Sequence, residues 1–264
     1  MTAALQPVDR AVHDGSAVPR PVLFIHGLFL HASSWGPWCR RFAEAGFAPV
    51  ALDLPGYGAR PPVAEMHFDE LAADVEAAIA ERGLQRPVLI GHSLGGMVAQ
   101  TMLRRRPNGY AAAVLCCTSP AFGNPSGDFQ KKFVADRLAP LESGKHMADL
   151  APGITGEIVG PAPDAAGRNL AVACMGAVPS KTYRAAVQCL VGFDERANLA
   201  SIGVPVLCLS GEHDRNAPPP MMERMAGRIP GARYICLPGV GHLPNLEAPA
   251  EFDAAVIEYL RSIA

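Results

Sequence analysis

Gly91-His92-Ser93-Leu94-Gly95-Gly96 is the stretch on which the reading of this chain turns. Upstream of it, Pro87 to Ile90 is a short apolar run of strand type; downstream, an apolar helical pattern starts at Met97. A strand that turns directly into a helix crowds its own backbone, so the residues two before and two after the apex have to be small. Gly91 and Gly95 hold those places, and Ser93 is the apex. Its hydroxyl is expected to stand clear of a sheet at a helix N-terminus, where unpaired N–H groups can receive developing negative charge. Other readings of the glycines fail on their letters. A phosphate loop needs a lysine beside its last serine or threonine, and a dinucleotide turn needs G-x-G-x-x-G; neither is present. A serine nucleophile and a purely structural turn remain.

Working outward, the same strand-then-helix unit recurs. Val22 to Ile25 is a continuous apolar run, as in a strand buried on both faces, and His26-Gly27-Leu28 ends it. Ser34 is a predicted N-cap for a helix carrying Trp35, Trp38 and Phe42, closed by Gly46. Ala48 to Leu54 reads as a second buried strand, Pro55-Gly56-Tyr57-Gly58 as a turn, and Phe68, Leu71, Val75 and Ile79 as one face of a helix ended by Gly83. Ala111 to Cys117 is another strand. From Ala121 to about Ala200 such runs give way to helical patterns, with Phe129, Phe133 and Leu138 in one and Tyr183, Val187 and Leu190 in another, interrupted at Gly153 to Pro163. Val204 to Leu209 and Tyr234 to Leu237 restore the strand pattern. Between them Met221, Met222, Met225 and Ile229 make a packing stripe, and Pro249 opens a closing amphipathic helix. Strands alternating with helices predict an α/β fold, with a parallel sheet covered on both faces. The expected division is an N-terminal arm at 1–20, a core at 21–120 and 201–264, and a helical cap at 121–200.

Composition narrows the function classes. The 264 residues carry 18% charged side chains and a formal net charge of −2, and the longest basic block is Arg104-Arg105-Arg106, suited to a helix C-terminus. Neither nucleic acid nor an anionic membrane is an expected partner. The first 20 residues hold no apolar core of signal-peptide length, and no stretch approaches a membrane span. Seven cysteines without a C-x-x-C pair read as reduced, mostly buried thiols of a cytoplasmic protein. No His-x-x-x-His or cysteine pairing suggests a metal, and no cofactor is expected.

Functional groups in an open parallel sheet gather beyond the carboxyl ends of the strands, where His26, Ser93, Asp214 and His242 all fall. A serine hydroxyl needs a base to take its proton, and an imidazole needs a carboxylate to fix its tautomer. Ser93, then Asp214, then His242 is the chain order this architecture uses. Each has a plainer reading: Asp214 as the cap of a helix near Pro218, His242 as an ordinary loop histidine. His213, directly before Asp214, is the rival base; His92 is expected to face packing, His26 to shape the loop presenting Leu28, and histidines 13, 31, 67 and 146 to be surface or packing residues. Backbone N–H groups of Leu28 and Leu94 are the expected oxyanion donors.

Taken together, His26-Gly27-Leu28, Asp53-Leu54-Pro55-Gly56-Tyr57-Gly58, the turn at Ser93, Gly211-Glu212-His213-Asp214 and Gly241-His242 resemble the α/β-hydrolase superfamily from Pro21 onward. Within it the chain is similar to the capped esterase and lactonase branch that includes 3-oxoadipate enol-lactonases, on Tyr183, Phe193-Asp194 and Leu199 to Pro205. The resemblance implies the α/β-hydrolase fold: a mostly parallel eight-stranded sheet, helices on both faces and an inserted helical cap, although the usual N-terminal hairpin looks shortened. It implies a small-molecule substrate and a cofactor-independent serine hydrolase, acting on an ester or lactone through an acyl-serine. C–C bond hydrolysis of a ring-fission diketone and perhydrolysis are alternatives on the same triad, and a ligand receptor with an idle triad is a third. Arg137, Lys145, Arg168, Lys181 and Arg184 in the cap are either binders of a substrate carboxylate or solvated charges. The oligomeric state is left open.

Overall fold

The computed structural model describes residues 19–122 and 127–263, so the arm expected at 1–20 lies almost wholly outside the described residues. Six strands form one sheet: β1 (Pro21–Ile25), β2 (Ala48–Leu52), β3 (Val88–His92), β4 (Ala112–Cys116), β5 (Val206–Gly211) and β6 (Arg233–Leu237). Their order is β2-β1-β3-β4-β5-β6 and every pairing is parallel. The expectation of eight strands is corrected to six among these residues. Every described connection between strands contains at least one helix, and its remaining residues are turn or loop that adds no further strand to the sheet.

The strands that read as continuous apolar runs are those in the middle of the sheet. Val22, Leu23, Phe24 and Ile25 are wholly buried, as are Val88, Leu89 and Ile90, and each such side chain contributes roughly 1.5–3 kcal/mol relative to exposure. β2 corrects the expectation of a second buried strand: at the end of the described sheet, only Leu52 is buried. The chain leaves β1 for β2 on one side and then crosses to β3 on the other. That reversal opens a crevice at the carboxyl ends of β1 and β3.

Helices α1 (Gly36–Glu44), α2 (Phe68–Glu81), α3 (Leu94–Arg105), α8 (Pro219–Ala226), α9 (Pro244–Glu247) and α10 (Pro249–Ser262) flank the sheet. Ser34 is not the N-cap of α1. It lies in a tight helical turn at Ala32–Trp35, where its hydroxyl donates to the His31 carbonyl at 2.7 Å, and Pro37 occupies the first turn of α1. α3 is the central helix, with every residue from Leu94 to Leu103 buried.

Between β4 and β5 stand four helices: α4 (Asp128–Glu142), α5 (Met147–Ile158), α6 (Ala165–Gly176) and α7 (Ser180–Leu190). The interruption expected from Gly153 starts only after Ile158, because α5 runs through Gly153 and Gly156. Two features offset the cost of about 1 kcal/mol per helical glycine. Asp149 accepts the His146 N–H at 2.8 Å in a capping box, and Ala151, Thr155 and Ile158 bury one face. The insert touches the body of the fold at several points, among them the Thr182 hydroxyl donating to the Gly56 carbonyl at 3.0 Å. No helix among the described residues is long and apolar enough to cross a membrane, and all seven cysteines are free. Cys236 is exposed and Cys39 half-buried, while the other five are buried.

Candidate active site

Ser93 follows β3 directly and precedes the first residue of α3, in a backbone conformation (φ 52°, ψ −117°) that non-glycine residues avoid. Its main chain is held there by its neighbours. The Ser93 N–H donates to the Cys116 carbonyl at 2.9 Å, and the Ser93 carbonyl accepts from Gly96 N–H at 2.9 Å, Met97 N–H at 3.1 Å and the Thr118 hydroxyl at 2.8 Å. The flanking glycines are required by contact. A Cβ on Gly91 would stand 2.7 Å from the Gly96 Cα, and one on Gly95 would run into the carbonyl oxygens of Ile25 and His26.

The structure brings Ser93, His242 and Asp214 together from three separate loops. The Ser93 hydroxyl lies 3.0 Å from His242 Nε2, and His242 Nδ1 lies 2.8 Å from Asp214 Oδ2. The carboxylate accepts the Nδ1 proton, which leaves Nε2 as the acceptor for the serine hydroxyl. The other carboxylate oxygen accepts the N–H groups of Asn216 at 2.8 Å and Ala217 at 2.9 Å. Both donors precede α8, so Asp214 closes its own turn and does not cap that helix. Burial pushes the Asp214 carboxyl upward, but His242 and the two backbone donors outweigh it and leave the group below its ordinary value. An ionised acid under the imidazole is the result.

The histidine loop is fixed from four sides. His242 N–H donates to the Ile158 carbonyl at 2.7 Å, and the His242 carbonyl accepts from His92 Nε2–H at 2.7 Å. The buried carboxylate of Glu247 takes the N–H groups on either side: Gly241 at 2.8 Å and Leu243 at 2.8 Å. It also takes the Gly160 N–H, just beyond α5, at 2.6 Å. The role of Glu247 escaped the sequence reading; an acid set among Pro244, Leu246 and Pro249 was its only signal.

His26 shapes the loop after β1. Its Nδ1–H donates to the Gly27 carbonyl at 2.9 Å, and Nε2 accepts the Leu54 N–H at 3.0 Å, which fixes one neutral tautomer. The Leu28 carbonyl accepts the Tyr57 hydroxyl at 3.0 Å, and Asp53 Oδ1 accepts the Ala32 N–H at 2.7 Å. His213 is exposed and lies beside Glu212, apart from the serine. His31, His67 and His146 sit at turns or helix starts, while His13 falls outside the described residues. Cys117 Sγ, an Asp214 oxygen and a His242 nitrogen lie within 4.8 Å of one another. The latter two already hydrogen-bond each other, and burial first of all holds the Cys117 thiol protonated, so Cys117 reads as a packing residue beside the pair.

Comparison with known proteins assigns the family and the fold. The model of a family described as "Alpha/beta hydrolase family" matches residues 22–255. The polyketide synthase ThaQ of Burkholderia thailandensis is 29% identical over 255 residues, which are 93% of this chain and 12% of that much longer protein. The solved structure of a thermophilic esterase from Thermogutta terrifontis, with malate bound, is 25% identical, with a TM-score of 0.82 and coverage of 94% of this chain and 92% of that one. The enol-lactonase from Burkholderia xenovorans LB400 shares the fold at 22% identity, with a TM-score of 0.81 over 92% of each chain.

Proposed function

Because the chain belongs to the alpha/beta hydrolase family, we propose that it is a cofactor-independent serine hydrolase that cleaves a carboxylic ester or lactone through an acyl-Ser93 intermediate. One observation carries the reading: the Ser93 hydroxyl, the His242 ring and the Asp214 carboxylate stand in hydrogen-bond series at 3.0 and 2.8 Å. In this reading His242 Nε2 takes the serine proton as Oγ attacks the carbonyl carbon, and Asp214 stabilises the imidazolium that forms. The negative oxygen of the tetrahedral intermediate is received by the N–H groups of Leu28 and Leu94, each worth about 10²–10³ in rate. His242 returns its proton to the leaving alkoxide, then activates a water to release the acid and free the serine. In a lactone the leaving oxygen stays attached to the acyl group.

In the same proposal the four helices between β4 and β5 act as the cap and choose the substrate. The activities of the Thermogutta esterase and the Burkholderia enol-lactonase support ester and lactone chemistry for these three residues. A cytoplasmic location, with the cysteines reduced, belongs to the same proposal.

Ser93→Ala and His242→Ala, assayed with short p-nitrophenyl esters and a panel of lactones, are expected to lose about 10³-fold or more in kcat. Wild-type turnover in either variant rejects the mechanism.

A further inference from the structure

We propose that Arg137 and Tyr183 form a subsite for a carboxylate on the substrate, remote from the bond that is cleaved; the proposal rests on the serine-hydrolase reading and names the substrate class. Arg137 lies on α4 and Tyr183 on α7, and the two meet above Phe29, the residue after Leu28. The Arg137 guanidinium carbon stands 5.9 Å from the Phe29 ring centre and 5.5 Å from that of Phe133, and the Tyr183 ring stacks on Phe29 at 6.0 Å. Phe29 thus links the pair to the loop that carries the expected oxyanion donor.

Two features mark the place as built for a ligand. The Tyr183 side chain is fully buried, yet its hydroxyl has no hydrogen-bond partner, a condition that costs about 1–3 kcal/mol when nothing fills it. Burial raises the phenol above its ordinary range, and the adjacent Arg137 charge opposes the rise. The second feature is the arginine itself. Other cations of the insert are either paired, as Arg184 with Glu142 at 3.6 Å and Lys132 with Asp136 at 2.7 Å, or exposed, as Lys145, Arg168 and Lys181 are. Arg137 is half-buried, and no carboxylate among the described residues pairs with it. With Phe29 and Phe133 as close neighbours the guanidinium meets no carboxylate among the described residues, and its paired N–H groups suit the two oxygens of a carboxylate on a ligand. The tyrosine hydroxyl supplies a further donor, so the site offers a charge and neutral hydrogen bonding to one anionic group.

Esters that differ only in a terminal charge read this subsite directly. Wild-type protein is expected to prefer p-nitrophenyl hydrogen glutarate or adipate over p-nitrophenyl pentanoate or hexanoate. Arg137→Gln should lower that preference in kcat/KM at least tenfold through KM, with the neutral esters changed less than about twofold; Tyr183→Phe should lower it several-fold. An unchanged preference in Arg137→Gln, or an equal loss on charged and neutral esters, overturns the proposal. Binding separates this from failure of the hydrolase reading. Millimolar adipate, but not the neutral diamide adipamide, is expected to raise the melting temperature of the wild type and not that of Arg137→Gln. Absence of that shift in the wild type overturns the subsite even if esters are cleaved, and its presence supports the subsite even if none are.

Discussion

Gly95 shows how little room the serine turn leaves. A methyl group there would press against the carbonyl oxygens at the end of β1, and backbone on both sides of the contact cannot swing away as a flexible side chain would. Gly95→Ala is therefore expected to cost about 3 kcal/mol or more, lowering the melting temperature by roughly 10 °C in a chain of this size. Gly153→Ala is the control. Nothing lies within 4 Å of its Cβ position inside α5, so the substitution should be neutral or stabilising by about 0.5–1 kcal/mol. Scanning calorimetry of both variants checks the pair, and equal melting temperatures would refute the crowding argument. At this scale the sequence was legible wherever backbone geometry forces a residue type. The small residues around Ser93 are such a case, and the turn stands where they put it. Glu247 and the unpartnered Tyr183 hydroxyl were not legible, because each is defined by segments far away in the chain: Gly160 in one case, Phe29 and Arg137 in the other.

Among the elements, the short helix α9 and the end of α5 meet at one carboxylate. Removing it leaves three N–H groups without their acceptor, two of them flanking the imidazole residue. Glu247→Ala is expected to destabilise the protein by several kcal/mol and to lower kcat more than KM, since the base loses its seat and not its substrate. Glu247→Gln retains an oxygen for two of the donors but turns an amide N–H₂ toward the third, so it should fall between Ala and wild type. Urea unfolding with steady-state kinetics on both variants tests the order; kcat unchanged in Glu247→Ala would remove the positioning role. Helix and strand types followed from periodicity. The boundaries did not, and Gly153 shows why: capping by His146 and Asp149 and packing on one face override a local breaker, and only the first of these is written locally.

For the whole molecule, acid is the expected weakness. Burial holds His92 down to about 3 and His26 down to about 4, so both are neutral in the fold while an unfolded chain protonates them near 6.5. The folded form then binds fewer protons, and stability is fully present above pH 6.5. It is lost as pH falls from there toward about 4 for His26 and about 3 for His92. Two protons taken up on unfolding give a slope of roughly 3 kcal/mol per pH unit near pH 5, enough to consume a typical domain's stability within a few units. Urea titrations at pH 7.5, 6 and 5 should show the midpoint dropping steeply, and a flat profile would contradict the buried neutral tautomers. The parallel architecture and the helical insert were readable from the alternation of patterns. The strand count was not: the resemblance supplied eight, and the described residues hold six.

The bond from the backbone of residue 242 to the carbonyl of Ile158 reaches beyond catalysis. It means the insert is no interchangeable attachment. Transplanting a foreign segment between β4 and β5, as a route to a new substrate range, would remove a strut on which the proton acceptor rests. Chimeras that carry over the end of α5 together with Gly160 should keep turnover, and those cut upstream of it should trade specificity for a misaligned base.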